Sequence, residues 1–447
     1  MTTRRLTSTA LLTLACLAVL HAPAHGQITQ RWLTQWGTAG SDNGSGVVVD
    51  GAGQTWVAGY TAGALGGPNA GSFDLFLTPL SPTGVLGTSV QRGSTSGDYA
   101  NAAALVGGNT VFGVGYTSST TAWDGEAVIG SSDPLAVGYT TAGTYQSTTR
   151  FGSPNTDVAF SAAGNATHLL IAGYATGAID GQAQVGSNDA FLSKRDSTGA
   201  LVWTRVVGTS DYDAGSAAAF DSAGSAYLAG LTNGNLPTFT SAGSSDFFIA
   251  RYDASGTQTL LRQIGSSGQD DAEAMQVDGS GNIYLTGYTT GALGGQANSG
   301  GFDAFLTKLD SSGNVLWTRL LGGTGSDFGS GLALDTAGHV WIGGFSSSSL
   351  AGHTNAGNFD AFVAQYDSDG TLLATRFWGG TGDDEITDLA AAPDGSVSVS
   401  GSTNGTLGAA NVGGYDAWAA SVTTVPEPTA ALLLAGAAFP LLLRRRR

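Results

Sequence analysis

Two sets of aspartates recur through this 447-residue chain at a near-constant interval, and they are the residues whose type and spacing could do chemistry. One set opens the string Asp-Ala-Phe or a variant of it, at Asp74, Asp133, Asp189, Asp246, Asp303, Asp360 and Asp416, with spacings of 59, 56, 57, 57, 57 and 56 residues. The other is Asp42, Asp98, Asp157, Asp213, Asp270, Asp327 and Asp384. Rings of hard carboxylate oxygens suit calcium or a ligand, but one calcium ion needs about six to eight oxygens within about 2.3–2.6 Å. Two strands apart in one sheet means about 9–10 Å, so aspartates on the first and third strands of one repeat would need strongly bent loops to share an ion. The alternative is that each aspartate accepts hydrogen bonds from loop N–H groups that no strand ladder satisfies. A need present in every repeat accounts for seven copies better than one active site does.

Other chemistry is thinly represented. The single cysteine, Cys16, lies in an apolar N-terminal run, so the body has no thiol and no disulfide. His168, His339 and His353 fall in separate turns and loops and do not converge on a metal. The clusters Asp270–Asp271 and Asp383–Asp384–Glu385 have the residue types of a glycosidase pair, although loop solvation explains them equally. "DSDG" at 367–370 resembles the start of a calcium loop, but Thr371, Leu372 and Leu373 follow where further oxygen ligands are due. A formal net charge of −17, with six of the 17 basic residues in the two termini, excludes binding of nucleic acid or an anionic membrane by charge.

The elements that position these residues follow from the repeat. In the clearest copy four short apolar segments, 330–335, 339–345, 360–367 and 372–379, are separated by turn signals and read as four strands. The turns "DTAGH", "DSDGT", "DSSGN" and "DGSGN" pair an aspartate that accepts N–H bonds with a glycine that supplies positive φ, giving tight hairpins. Seventy glycines mark many such turns. Trp56, Phe112, Leu170, Tyr227, Tyr284, Trp341 and Ser398 share one position in the second strand. Phe76, Leu135, Phe191, Phe248, Phe305, Phe362 and Trp418 share one in the third, and stacked sheets bury such sets between them. The expected fold is all-β: a seven-bladed β-propeller with four antiparallel strands per blade. "RWLTQWG" (31–37) is an orphan fourth strand and "YDAWAASV" (415–422) an orphan third, so their pairing closes the ring.

Through "DAFLTKLDSSGNVLW" (303–317) and "GNIYLTGYT" (281–289) the body, 28–422, resembles the SBBP β-propeller repeat family. That family is defined by architecture, and the resemblance brings no catalytic residues with it. The second copy departs most, with Pro134 in a strand position. Strand order places the longer loops, such as 61–73 and 289–302, and both aspartate sets on one side, with the tight hairpins on the other. Arg92, Arg150, Arg205, Arg262, Arg319 and Arg376 fall in the outer strands, where they could attract anionic polysaccharide or guard exposed edges.

Residues 1–26 read as an export signal: two arginines, an apolar run too short to span a bilayer, then small residues. Residues 425–447 combine Pro426, Glu427 and Pro428 with a short apolar segment and four arginines. This resembles the PEP-CTERM sorting signal of Gram-negative bacteria, which implies recognition by an exosortase, transient contact with the inner membrane, and a destination at the cell surface or in an exopolysaccharide matrix. The resulting expectation is an exported, non-catalytic propeller that binds or scaffolds a surface glycan, exopolysaccharide or protein. It needs no cofactor, with calcium as an optional ligand of the second aspartate set. A polysaccharide hydrolase or lyase is the alternative.

Overall fold

In the computed structural model, which describes residues 26–425, Gln27–Val425 forms one compact unit of seven four-stranded antiparallel sheets. Both terminal segments, with the stretch expected to be an export signal and with the Pro426-Glu427-Pro428 motif and the segment after it, lie outside the described residues. We label the strands of each blade a to d from the centre outward. The a strands are Asp42–Val49, Asp98–Val106, Asp157–Gly164, Asp213–Phe220, Asp270–Val277, Asp327–Leu334 and Asp384–Ala391. Each a strand lies against the next, and the last lies against the first, so the sheets close into a ring. Blade six shows the pattern, with b at Val340–Ser346, c at Asp360–Tyr366 and d at Leu372–Trp378. The chain is therefore a seven-bladed β-propeller.

Closure uses the two ends as expected, with longer strands. Gln27–Trp36 is the d strand of blade seven and pairs antiparallel with that blade's c strand, Asp416–Val425, from Gln27↔Val425 to Trp36↔Ala417. Each Asp-x-x-Gly turn is a tight hairpin. At 367–371, Asp367 Oδ1 accepts the N–H groups of Asp369 (3.0 Å) and Thr371 (2.8 Å), and Gly370 takes φ +79°. The "DSDG" segment is thus occupied as a turn.

The core lies between successive sheets. All fourteen residues expected at the matched b and c positions are at most 2 % exposed, from Trp56 and Phe76 to Ser398 and Trp418. The a strands add a feature absent from the sequence expectation: each carries a β-bulge against its b strand, at residues 45, 101, 160, 216, 273, 330 and 387. The bulge drives an a-strand carbonyl close to the b strand, where only a glycine fits. A methyl on Gly287 or Gly344 would overlap the carbonyl oxygen of Asp271 or Phe328. One glycine in the b strand of every blade therefore serves close backbone approach within a sheet rather than a turn.

Candidate functional site

The aspartates of the second set are the first residues of the a strands, and all seven are wholly buried. Each accepts the N–H of the residue four before it, as in Thr38 N–H to Asp42 (2.5 Å), Thr209 to Asp213 (2.6 Å), Gly323 to Asp327 (2.7 Å) and Gly380 to Asp384 (2.7 Å). Ser94 binds Asp98, Ser153 binds Asp157 and Ser266 binds Asp270 in the same way, adding their hydroxyls. The end of the b strand supplies a further hydroxyl, Thr61 to Asp42 and Thr289 to Asp270. These are the bonds a loop-organising role requires.

The two sets adjoin, but between blades rather than within one. The N–H of each a-strand aspartate donates to the carbonyl of the residue before the c-strand aspartate of the preceding blade, as in Asp98 to Phe73 (2.9 Å) and Asp327 to Phe302 (2.7 Å). A glycine separates the paired carboxylates: a methyl on Gly152 would lie 2.8 Å from Asp157 Oδ2 and 3.1 Å from Asp133 Oδ1. The aspartates that come together thus belong to neighbouring blades and not to the first and third strands of one sheet, because the d-to-a loop returns across the top of its own c strand. Burial pushes Asp98, Asp157, Asp213, Asp270, Asp327 and Asp384 above the ordinary carboxylate range. Their hydrogen bonds oppose the shift, and the neighbouring c-strand aspartate adds to it.

The c-strand aspartates are likewise at most 1 % exposed and differ by blade in their partners. Gln91, Gln263 and Gln35 donate to Asp74, Asp246 and Asp416, Arg150 forms a buried ion pair with Asp133 (2.6 Å), and His353 meets Asp360 at 2.9 Å. His168 instead meets Thr167, and His339 meets Asp335 across the molecule from His353. The outer-strand arginines are engaged as well. Arg205 and Arg319 donate to the carbonyls of Gly256 and Gly370 (both 2.7 Å), and Arg262 to that of Ser312 (2.6 Å), so each grips the c–d hairpin of the next blade.

Accessible chemistry lies around the central channel. Its wall includes the bulge residues Ser45, Asn101, Phe160, Ser216, Glu273, Ser330 and Thr387, around a cavity of about 110 Å³ in which Asp388 also takes part. A wider cavity of about 430 Å³, lined by Val48, Leu105, Phe220 and Leu334, continues toward the hairpin side. Burial pushes Glu273 and Asp388 up to about 7; Asp271 adds to the first, and the N–H groups of Val47 and Leu389 oppose the second.

On the long-loop side the channel opens among half-buried aromatic rings that the sequence reading passed over. Tyr60, Phe73, Tyr99 and Tyr116 form one group with centroids 4.7–5.4 Å apart. Tyr288, Phe302, Phe328, Phe345 and Phe359 form another, at 5.0–6.3 Å. Phe160, Tyr174 and Tyr212 form a third, at 5.6 and 6.0 Å. They occupy repeated positions, chiefly the penultimate b-strand residue and the residue before the c-strand aspartate, and that recurrence was the available signal. Asp271, Asp383 and Glu385 stand among them. Asp271 is held by Ser245 (2.9 Å), Gln269 (2.9 Å) and the Tyr288 hydroxyl (2.7 Å). Every lysine and arginine among the described residues lies instead on a c or d strand. Arg92, Arg150 and Arg195 reach the long loops, but each is spent there on Asp124, on the carbonyls of Ser119 and Thr121, and on Asp180, so the aromatic groups themselves stand beside acids rather than bases.

This geometry defines the class, a seven-bladed propeller with an acidic, aromatic channel mouth. Residues 261–295 match the SBBP beta-propeller repeat model. The regulatory protein FlaEY of Caulobacter vibrioides is 30 % identical over 164 residues, which cover 33 % of this chain and 17 % of that protein, so the chain spans well under two thirds of that relative. Among solved structures, the Pan2 WD40 domain of Neurospora crassa is 10 % identical, with 91 % of this chain and 97 % of that one covered and a TM-score of 0.35. YCF48 bound to D1 peptide is 12 % identical, with 87 % and 94 % covered and a TM-score of 0.43.

Proposed function

We propose that this propeller is an exported, surface-displayed or matrix-associated protein that binds or scaffolds a glycan, exopolysaccharide or protein ligand through its long-loop face, without catalysing a reaction. The observation that carries this reading is the channel mouth, where three groups of half-buried aromatic rings stand beside carboxylates with no lysine or arginine from the same strands and loops. Aromatic faces offer rigid apolar area to the C–H faces of sugars and attract cations. The carboxylates repel a bare polyanion, so the ligand is neutral, cationic, or an anion bridged by calcium. The terminal sequence patterns support export, processing by an exosortase and display outside a Gram-negative cell.

The test is a screen of the purified body against glycans of the producing organism, with and without calcium, alongside Phe328→Ala and Tyr99→Ala. Saturable binding weakened by these substitutions is expected. Binding unaffected by either would move the ligand off this face, and release of shortened glycan would favour the hydrolase or lyase. Fractionation of the native host tests display, the expected result being surface or matrix protein that lacks its arginine tail.

A further inference from the structure

One b-strand position fills the gap to the following blade throughout the ring, and blade seven departs from it. Blades one to six carry Trp56, Phe112, Leu170, Tyr227, Tyr284 and Trp341 there, and blade seven carries Ser398. The large side chains belong to the next blade's core: Trp56 lies in one cluster with Val111 and Val137 of blade two, Tyr284 with Leu332 and Val340 of blade six, and Trp341 with Ile386 and Val397 of blade seven. The c-strand residue directly opposite adds bulk where it is Arg251 beside Tyr227 or Lys308 beside Tyr284, whereas Ser398 faces Ser421. The seam between blades seven and one accordingly opens into a cavity of about 300 Å³. Its deep part is hydroxylic: Thr55, Ser396, Ser398 and Ser421 line it and are at most 3 % exposed. Thr55 Oγ1 and Ser398 Oγ share a hydrogen bond (2.9 Å) and Ser396 Oγ donates to Asp394 (2.6 Å), while the Ser421 hydroxyl has no hydrogen-bond partner among the described residues. A buried hydroxyl left unpaired is costly, and this one lines a cavity large enough to bring it a partner.

We propose that the seam between blades seven and one is a binding site for a single neutral sugar residue. A hydroxyl both donates and accepts, so a ligand that carries several hydroxyls matches a lining of serine and threonine, and one of them gives Ser421 the partner it lacks. Arg31 and Asp394, paired at 2.5 Å, are the only charged side chains of the lining. Together they present donors and a carboxylate without net charge, which favours a neutral ligand over an ion. Trp32, Pro82 and Pro393 supply apolar area of the kind that the C–H face of a sugar meets. The Trp32 ring is fixed in place: its N–H donates to the Pro82 carbonyl (3.1 Å), and Gly84 packs so closely that a methyl there would lie 2.7 Å from the ring. The volume is at the small end of the range for small-molecule sites, about 300–1,000 Å³, and suits one ring rather than a run of them. This site goes beyond the long-loop reading, since it lies among the hairpins 50–54, 81–85 and 392–396 on the opposite side of the ring.

The probes are the methyl glycosides of glucose, galactose, mannose and N-acetylglucosamine, titrated into the purified protein with saturation-transfer NMR as the readout. Saturable binding of at least one is expected, with a dissociation constant in about the millimolar range. Ser398→Tyr restores the ring that blade five carries at this position, fills the cavity and should abolish binding. Absence of saturation by all four probes, or equal affinity in Ser398→Tyr, overturns the proposal. Binding that Ser398→Tyr leaves intact and Phe328→Ala removes also overturns it, by placing the sugar at the long-loop mouth. Should Ser398→Tyr fail to fold, Ser421→Ala serves in its place: it removes one hydroxyl, so roughly tenfold weaker binding is expected, and undiminished affinity overturns the seam site. Because different substitutions block the two sides of the ring, failure of the seam site leaves the long-loop reading intact, and failure of that reading leaves the seam site intact.

Discussion

Gly287 faces Phe305 across the b–c ladder, and a methyl there would fall on the carbonyl oxygen of Asp271. Neither backbone can yield without breaking the bulge, so Gly287→Ala should destabilise the protein by about 2–3 kcal/mol. Gly279 lies in a hairpin with nothing within 4 Å of an added Cβ, and Gly279→Ala should be nearly neutral; denaturant titration of the two variants is the comparison. The a-strand aspartates are open to a second test. Asparagine keeps an acceptor for the loop N–H groups while removing a buried charge, so Asp42→Asn, Asp327→Asn and Asp384→Asn should melt close to wild type if their task is to organise loops. Calcium at millimolar concentration separates the roles. A rise in the wild-type melting temperature that the asparagine variants lose would assign the ions to these junctions, by mass action worth about 2.7 kcal/mol at a hundredfold excess over the dissociation constant.

At the scale of the strand, the closing d strand Gln27–Trp36 is held by its partner c strand and by blade six. Gln30 Oε1 accepts from both Arg376 (2.9 Å) and Trp378 (2.8 Å). Removing residues 27–36 exposes the edge of Asp416–Val425 and opens the ring, so the melting temperature should fall far more than for Gln30→Ala, which removes one acceptor and should cost about 1–2 kcal/mol. Equal melting of the deletion and the point variant would contradict closure by this strand. The strands themselves were legible because each announces itself locally, by alternating apolar residues between Asp-x-x-Gly turns. Their starts were less so: the a strand of blade six begins at Asp327 rather than 330, since the Asp327 N–H bonds the preceding blade. The bulges, the inter-blade carboxylate pairs and the arginine grips could not be read from spacing. Each depends on what the next blade brings alongside, and a period-two pattern does not encode a one-residue shift in one strand of a pair.

For the whole molecule, acids on opposite sides of the ring are tuned in opposite directions, apart from Asp124 in a long loop, which Arg92 and Thr148 hold low, and this predicts an asymmetric pH profile. On the hairpin side Asp310, bonded by Asn314 and by loop N–H groups, and Asp394, held by Ser396 and Arg31 at about 2, lie below the ordinary carboxylate range. Such groups stabilise the fold above their ordinary value and withdraw that stability as pH falls through the folded one. Around the channel and long-loop side Glu273, Asp388 and Glu385 are raised by burial, the first two to about 7. Their contribution has the opposite sign: it is complete below the ordinary value and is lost as pH rises through the folded one, to the extent of about 3–4 kcal/mol for each of the two channel carboxyls. Stability should therefore peak on the acid side of neutrality and decline through about pH 7. Repulsion among exposed charges, at a formal net charge of −17, pulls in the same direction, but salt screens it while leaving the buried groups largely untouched. Melting curves from about pH 5 to pH 8.5 at low and high salt distinguish the two. A decline that persists at high salt and is flattened in Glu273→Gln/Asp388→Asn assigns it to the channel, and one that disappears with salt assigns it to the surface.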